Sequence, residues 1–362
     1  MDLSNILTIV IPLKGRPEYT KRILEYSSWI KCPFKILLGD GGNENLVLNS
    51  KDFPDTNYEY IKYPYDVDIP SYNKKMNNLL SKVTTPLTML IDNDNFFCLE
   101  GIYHVINFLY NNKDFSGGRG CLTRCRVAGH KLNDERRKMH YHPSIIGVTA
   151  TERIINTINM FHTHLHDIVK TDVLQTTFDI MDIVASNDFK IFIRLNAFLS
   201  VIRGNNYRND DITYFFHEQG TPRISGQILP PDNIWVQQPY WEDSVARLTS
   251  AVGVSIEHMD GLNIDVAKNI FLKAFINRIL NRKNPGHKIS DTDSKTRDYL
   301  ANSINTIIEK SRKLNIDEEI RGCFFKNRTG SELNISRIEI NRMDDEMFRD
   351  VLDEYLVQRR FC

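Results

Sequence analysis

The run Thr88-Met-Leu-Ile-Asp-Asn-Asp-Asn-Phe-Phe97 constrains this chain more than any other, because an apolar strand ends in it abruptly in acids. Leu87 to Ile91 follows the breaker Pro86 and carries no charge, which predicts a buried strand of a parallel sheet. Its carboxyl end delivers Asp92 and Asp94 to a sheet edge, where α/β sheets bind ligands. Two carboxylates one residue apart, with few neutralising groups near them in sequence, suit a hard divalent cation. Manganese or magnesium fits, with coordination positions left for phosphate oxygens. The competing expectation is that these acids only cap a helix starting near Glu100.

What precedes this run alternates strand and helix. Leu7 to Leu13 reads as a buried strand, Lys14-Gly-Arg-Pro17 as a turn, and Pro17 to about Trp29 as a helix with proline at its first position. Phe34 to Leu38 is a second strand, ending in Gly39-Asp-Gly-Gly42, where glycines let a flat ligand approach the backbone. A strand at Tyr58 to Lys62 and a helix at Ser71 to Val83 complete the pattern of an open α/β sheet.

Beyond Glu100 to Asn111, which has helical spacing, Phe115 to Thr123 reads as a glycine-rich loop running into a strand, and Lys131 to Lys138 as a polar loop. Phe161 to His166 alternates, so His162, His164 and His166 share one face if the segment is a strand. Strand spacing rarely sets three imidazoles around one ion, so substrate contact or a surface face is the expectation there. Helices are predicted over Asp172 to Ile183 and Asp188 to Ile202, and a strand over Thr213 to Glu218. After about Trp241 the pattern is helical, at Asp265 to Asn281, Asp293 to Lys313 and Asp344 to Arg359. The expected division is a sheet domain over 1–240 and a helical region over 241–362.

Forty-six basic residues balance forty-six acidic ones in 362, so no global field recruits nucleic acid. No apolar run approaches the ~18 residues of a membrane span, and the N-terminus lacks a signal-peptide layout. A cytoplasmic protein is expected, with peripheral membrane contact left open. The six cysteines are scattered and read as reduced thiols.

The order of these features resembles the nucleotide-sugar glycosyltransferases of the GT-A fold, in the family 2-like bacterial branch. Thr8-Ile-Val-Ile-Pro-Leu-Lys-Gly-Arg-Pro-Glu18 is similar to that family's opening strand and turn. Ile36-Leu-Leu-Gly-Asp-Gly-Gly42 is similar to its strand ending in a base-binding acid, Ser71 to Leu79 to its polar helix, and Leu90 to Phe97 to its Asp-X-Asp element. Ala185-Ser-Asn-Asp-Phe-Lys-Ile-Phe-Ile-Arg-Leu195 resembles the helix start that carries the catalytic base, with Asn187 where the family has Glu. Tyr214-Phe-Phe-His-Glu218 resembles a segment that supplies a further histidine ligand. The resemblance covers about 6–226.

It implies a Rossmann-like, mostly parallel sheet flanked by helices, and transfer from a nucleoside diphosphate sugar to a glycan or lipid-linked hydroxyl with inversion. Asp188 is the implied base, also readable as a plain helix cap. Pro12, Lys14, Arg16, Asp40, Asp92 and Asn93 are the implied donor contacts, and Asp94, Asp92 and His217 the implied metal ligands. Two other expectations stand beside this one: a sugar-phosphate nucleotidyltransferase, and a non-catalytic saccharide- or partner-binding protein on a degenerate form of the fold. The first lacks its basic glycine-rich loop here, and the second gives Asp92, Asp94 and Asp188 no purpose.

Overall fold

In a computed structural model, residues 3–128, 131–138, 143–160, 164–218, 230–281, 291–326, 338 and 345–358 are described. At 124–128, 131–138, 217, 218, 291–294, 345 and 346 only the backbone is. The sheet starts with strands whose residues are apolar on both sides. In β1 (Leu7–Leu13), β2 (Lys35–Asp40) and β4 (Leu87–Leu90), Ile9, Ile11, Ile36, Leu38 and Met89 enter one core, while Val10, Leu37 and Leu90 enter another on the opposite face. With β3 (Tyr58–Lys62), these strands pair in parallel in the order β3, β2, β1, β4. The register sets Leu13 beside Asp40 and Asp40 beside Lys62, so several strand ends reach one edge together.

The remainder makes the sheet mixed: β4 pairs antiparallel with β8 (Ile168–Lys170), β8 antiparallel with β6 (Phe115–Ala128), and β6 in parallel with β9 (Asn205–Glu218). β5 (Asn95–Phe97) is the far edge, antiparallel to β9. Only the acidic turn separates β4 from β5 in sequence, and so short a segment spans at most about 3.6 Å per residue. The sheet therefore curls until its far edge meets the end of β4.

Helices cover both faces. α1 (Pro17–Trp29) and α3 (Leu99–Asn111) lie on one, α2 (Ile69–Leu80), α4 (Ala150–Asn159), α5 (Thr171–Val184) and α6 (Phe189–Leu199) on the other. After a single turn at α7 (Asp232–Trp235) the chain is helical: α8 (Trp241–Asp260), α9 (Ile264–Asn281), α10 (Asp291–Lys313), α11 (Asp317–Phe325) and α12 (Asp345–Gln358). Val245, Phe271, Leu300 and Ile320 share one core with Leu174, Phe178 and Leu195, so α8 to α11 thicken the layer built by α4 to α6. α12 crosses to the other face, where Tyr355 packs on Tyr26 and donates through its hydroxyl to the Arg22 carbonyl at 3.0 Å.

The α/β class with a helical C-terminal region is the one read from the sequence. Among the segments that differ are two that the sequence pattern assigned otherwise. Lys131–Lys138 is a strand, β7, paired with β6, because backbone pairing overrides its charge-dense composition. Residues 164–166 are not extended: the backbone turns, with His166 at φ 73°, which breaks the alternation expected of a strand. His162 lies outside the described residues.

Candidate active site

The turn leaving β1 is the first wall of the site. Gly15 (φ 86°) and Arg16 (φ 57°) are both left-handed, a reversal that glycine adopts freely, and Pro17 then opens α1. The reversal turns Arg16 back over the end of β4, where its Nη1 lies 2.7 Å from Asp94 Oδ2. The Asp94 side chain is 5% exposed and the Arg16 side chain 20%, so the guanidinium compensates a carboxylate that is largely out of water. Asp92 faces outward, its side chain 53% exposed, with His166 Nε2 at 4.0 Å. Asn93, expected among the donor contacts, turns inward instead: its amide donates to the Arg16 carbonyl (3.3 Å) and to Thr20 Oγ1 (3.0 Å) and clamps the two turns together. Helix capping does not explain the acids. The cap residue of α3 is Cys98, which makes no side-chain capping bond.

The second wall is the end of β2. Asp40 is buried, and its Oδ1 accepts from the Gly42 N–H (2.7 Å), its Oδ2 from Tyr60 Oη (2.6 Å) and Lys62 Nζ (3.0 Å). Lys62 also donates to the carbonyls of Gly42 (2.6 Å) and Glu44 (2.7 Å), which fastens the loop beyond Asp40. Burial, reinforced by the bond to Asp40, pushes the Tyr60 hydroxyl up to about 12, so it remains a donor. Behind this loop Lys75 of α2 pairs with Asp66, both side chains almost fully buried, and donates to the Leu13 carbonyl at 3.2 Å. Burial pushes the Asp66 carboxyl up and the Lys75 amine down, each opposed by the charge of the other. Lys14 donates to the Asp66 carbonyl and sits 4.8 Å above the Tyr65 ring, while Pro12 is half-buried in an otherwise closed strand. A Cβ at Gly41 would stand 2.3 Å from the Asp66 carboxylate, so this layer closes only over glycine.

Asp188 forms the third wall. It is the N-cap of α6: Oδ1 accepts from the Lys190 N–H (2.9 Å), and Oδ2 accepts from Trp235 Nε1 (2.7 Å). The cap and the candidate base are thus one carboxylate. Tyr72 links this helix start to the acidic turn: its ring lies 5.6 Å from Phe192 of α6, and its hydroxyl is pushed up by burial and by the charges of Asp92 and Asp66. Asn187 adds a bond to Asp68, the cap of α2, whose carboxyl is lowered first by the Ser71 N–H.

Of the histidines, His164 is buried against Asp167 (Nδ1 to Oδ2, 2.9 Å) and Arg208 (2.8 Å), in a cluster that also holds Arg119. Arg208 Nη1 lies 2.6 Å from Asp167 Oδ1. His166 stacks on Phe215 (4.9 Å), its carbonyl accepts from Tyr214 Oη (2.8 Å), and its Nε2 lies 4.0 Å from Asp92 Oδ2. The backbone of His217 pairs with Asn95, directly after Asp94; its side chain lies outside the described residues. Among the described residues no three of His, Cys, Asp or Glu converge to hold a metal alone. Asp92 and Asp94 are the carboxylates through which a hard divalent cation would be held.

Sequence reasoning missed Lys75, Asp66, Tyr60, Lys62, Tyr72 and Trp235 as parts of the site. A signal existed for Lys75, which lies in the polar helix before the acidic strand. Among the described residues no helix is long and apolar enough to cross a membrane.

No family model matches the sequence, and no curated protein matches it. Among solved structures, the chain is similar to S. aureus TarS 1–349, at 14% identity over 98% of this chain and 92% of that one, with a TM-score of 0.47. The same protein in complex with UDP-GlcNAc matches at 13% identity over 98% and 92%, with a TM-score of 0.49. In complex with UDP it matches at 14% identity over the same shares, with a TM-score of 0.48. These are likenesses of overall chain path at low identity.

Proposed function

We propose that this chain is a metal-dependent glycosyltransferase that moves a sugar from a nucleoside diphosphate sugar to a hydroxyl of a glycan or lipid-linked saccharide, with inversion. The observation that carries this reading is the convergence of Asp92 and Asp94 with Arg16, Lys14 and Asp40, delivered by the ends of the neighbouring parallel strands β4, β1 and β2. Departure of a diphosphate develops negative charge, which cations held beforehand stabilise without reorganising. Lys14 and Arg16 are the cations that fill this role in the reading, and Asp40 is its acceptor for a base N–H. Manganese or magnesium bound through Asp92 and Asp94, with His217 as a further ligand, supplies Lewis-acid stabilisation of the leaving group.

In the transfer, the acceptor oxygen attacks the anomeric carbon from the face opposite the diphosphate, and the bond from that carbon to the diphosphate oxygen breaks. The hydroxyl proton passes to Asp188. Each oxygen of that carboxylate accepts one hydrogen bond already and keeps a second lone pair for the proton. In this reading the protein works in the cytoplasm and meets a lipid-linked acceptor peripherally.

The test is release of free nucleoside diphosphate from a panel of diphospho-sugars, UDP-GlcNAc included, with and without manganese. The expected result is one donor consumed only with metal, and a loss of roughly a hundredfold or more in Asp188→Asn. Consumption of a nucleoside triphosphate with a sugar phosphate instead would assign the chain to the nucleotidyltransferases. No turnover of any donor would overturn the reading.

A further inference from the structure

We propose that Trp235 is a positioning residue for the base, its indole N–H fixing the Asp188 carboxylate in one orientation; this rests on the reading of Asp188 as the base. A helix cap needs one oxygen, and Asp188 Oδ1 already serves the Lys190 N–H. Capping therefore leaves the bond from Trp235 Nε1 to Oδ2, at 2.7 Å, unexplained. Trp235 is fully buried, and a buried indole needs an acceptor, but any backbone carbonyl would satisfy it. Here the acceptor is a half-buried carboxylate at the mouth of the site. With one donor on each oxygen, rotation of the carboxylate is stopped.

The indole is itself held. α7 is a single turn seated against α6, where Asp232 pairs with Lys190 and, at 3.0 Å, with Arg194. The Arg194 guanidinium lies 4.6 Å and Lys190 Nζ 5.1 Å from the Trp235 ring, and the rings of Trp241 (6.2 Å) and Phe275 (6.3 Å) close the other sides. Among the described residues, the charged and titratable groups around Asp188 are Lys190 and Arg194 on its own helix and Asp232 on α7. Tyr240 stands before α8, its hydroxyl raised by burial and by the charge of Asp188; Asp68 is reached through Asn187, and Arg247 of α8 donates to the Val184 carbonyl at 2.8 Å. Lys190 and Arg194 pair with Asp232, and among the described residues the indole is the side-chain donor to Oδ2.

Removing that donor disfavours the ionised carboxylate and frees its rotation. In Trp235→Phe the acidic limb of the kcat/KM profile for donor turnover is expected to move to higher pH. The same variant is expected to lower kcat about tenfold and to leave the donor KM within about twofold. Asp232→Asn, which keeps the indole but removes a negative charge and releases Lys190 and Arg194, lowers stability and is expected to move the limb the opposite way, to lower pH. An unmoved limb in a folded Trp235→Phe protein overturns the proposal. An arm independent of activity uses protein labelled with ¹⁵N at its indoles. The Trp235 resonance is expected to move with pH through a carboxylate titration in the wild type and to stop doing so in Asp188→Asn. Should Trp235→Phe not fold, this arm decides, and a Trp235 resonance indifferent to Asp188→Asn refutes the contact. If that resonance titrates while Asp188→Asn turns over normally, the assignment of Asp188 as base fails and the indole contact stands.

Discussion

Arg16 Nη1 and Asp94 Oδ2 stand 2.7 Å apart, across 78 residues of sequence, and that pair joins the β1 turn to the end of β4. Removing the guanidinium strands a carboxylate that is 5% exposed. Arg16→Met is therefore expected to cost about 2 kcal/mol in urea unfolding. Arg16→Met/Asp94→Asn should recover part of that loss, because the stranded charge goes with its partner. Strictly additive costs in the cycle would mean that the pair contributes nothing.

Asp92 and Asp94 separate stability from function. The Asp92 side chain is 53% exposed and lies 4.0 Å from a single histidine nitrogen. Asp92→Asn should change unfolding stability by no more than about 0.5 kcal/mol, yet remove metal-dependent donor turnover. Retained turnover would take Asp92 out of the site.

Gly41 carries its own prediction. A methyl group there would stand 2.3 Å from the Asp66 carboxylate, whose partner Lys75 is buried with it. Gly41→Ala should separate this pair and weaken nucleoside diphosphate binding by calorimetry about tenfold or more, with a stability loss of about 3 kcal/mol. Unchanged binding would show that the loop tolerates the shift.

His164 makes stability depend on pH. Burial lowers its proton affinity, and Arg208 and Arg119 lower it further against the opposing effect of Asp167. The folded state thus takes up its proton at lower pH than the unfolded chain, whose histidine titrates near 6.5. As pH falls below about 6.5 the unfolded state binds the extra proton, and stability declines. The Asp167 carboxyl is held well below its usual range: burial opposes ionisation, but Arg208, the bond from His164 and Arg119 outweigh it. Its contribution is therefore complete above about pH 4 and is lost only in stronger acid. The urea midpoint should drop between pH 7.5 and 5.5, and less so in His164→Asn measured against its own value at pH 7.5.

The parts legible in the sequence are those written locally. The apolar runs of β1, β2 and β4, each punctuated by Gly, Pro or Asp, announce strands and strand ends without reference to anything distant. The start of α6 is legible too, since Asp188 is a capping residue by type. α8 escaped because it is buried at nearly every position from Ser244 to Ile256, which erases the one-sided stripe that marks a surface helix. β7 escaped because its partner, not its composition, makes it a strand. Within the site, Asp188 meets Trp235 over 47 residues and Asn93 meets Thr20 over 73. Such meetings are set by how the sheet curls, which no local window contains. Asn93 turns inward in the turn between β4 and β5, where its amide meets Thr20 at the start of α1.

The most direct test is thermal stability with nucleoside diphosphates and diphospho-sugars, with and without manganese, for the wild type and Asp94→Ala. A ligand that binds the native state adds about 2.7 kcal/mol at a hundredfold excess over its dissociation constant. The account predicts that one diphosphate raises the transition temperature of the wild type only with manganese, and that Asp94→Ala loses the response. A response that needs no metal, or that survives in Asp94→Ala, would contradict it.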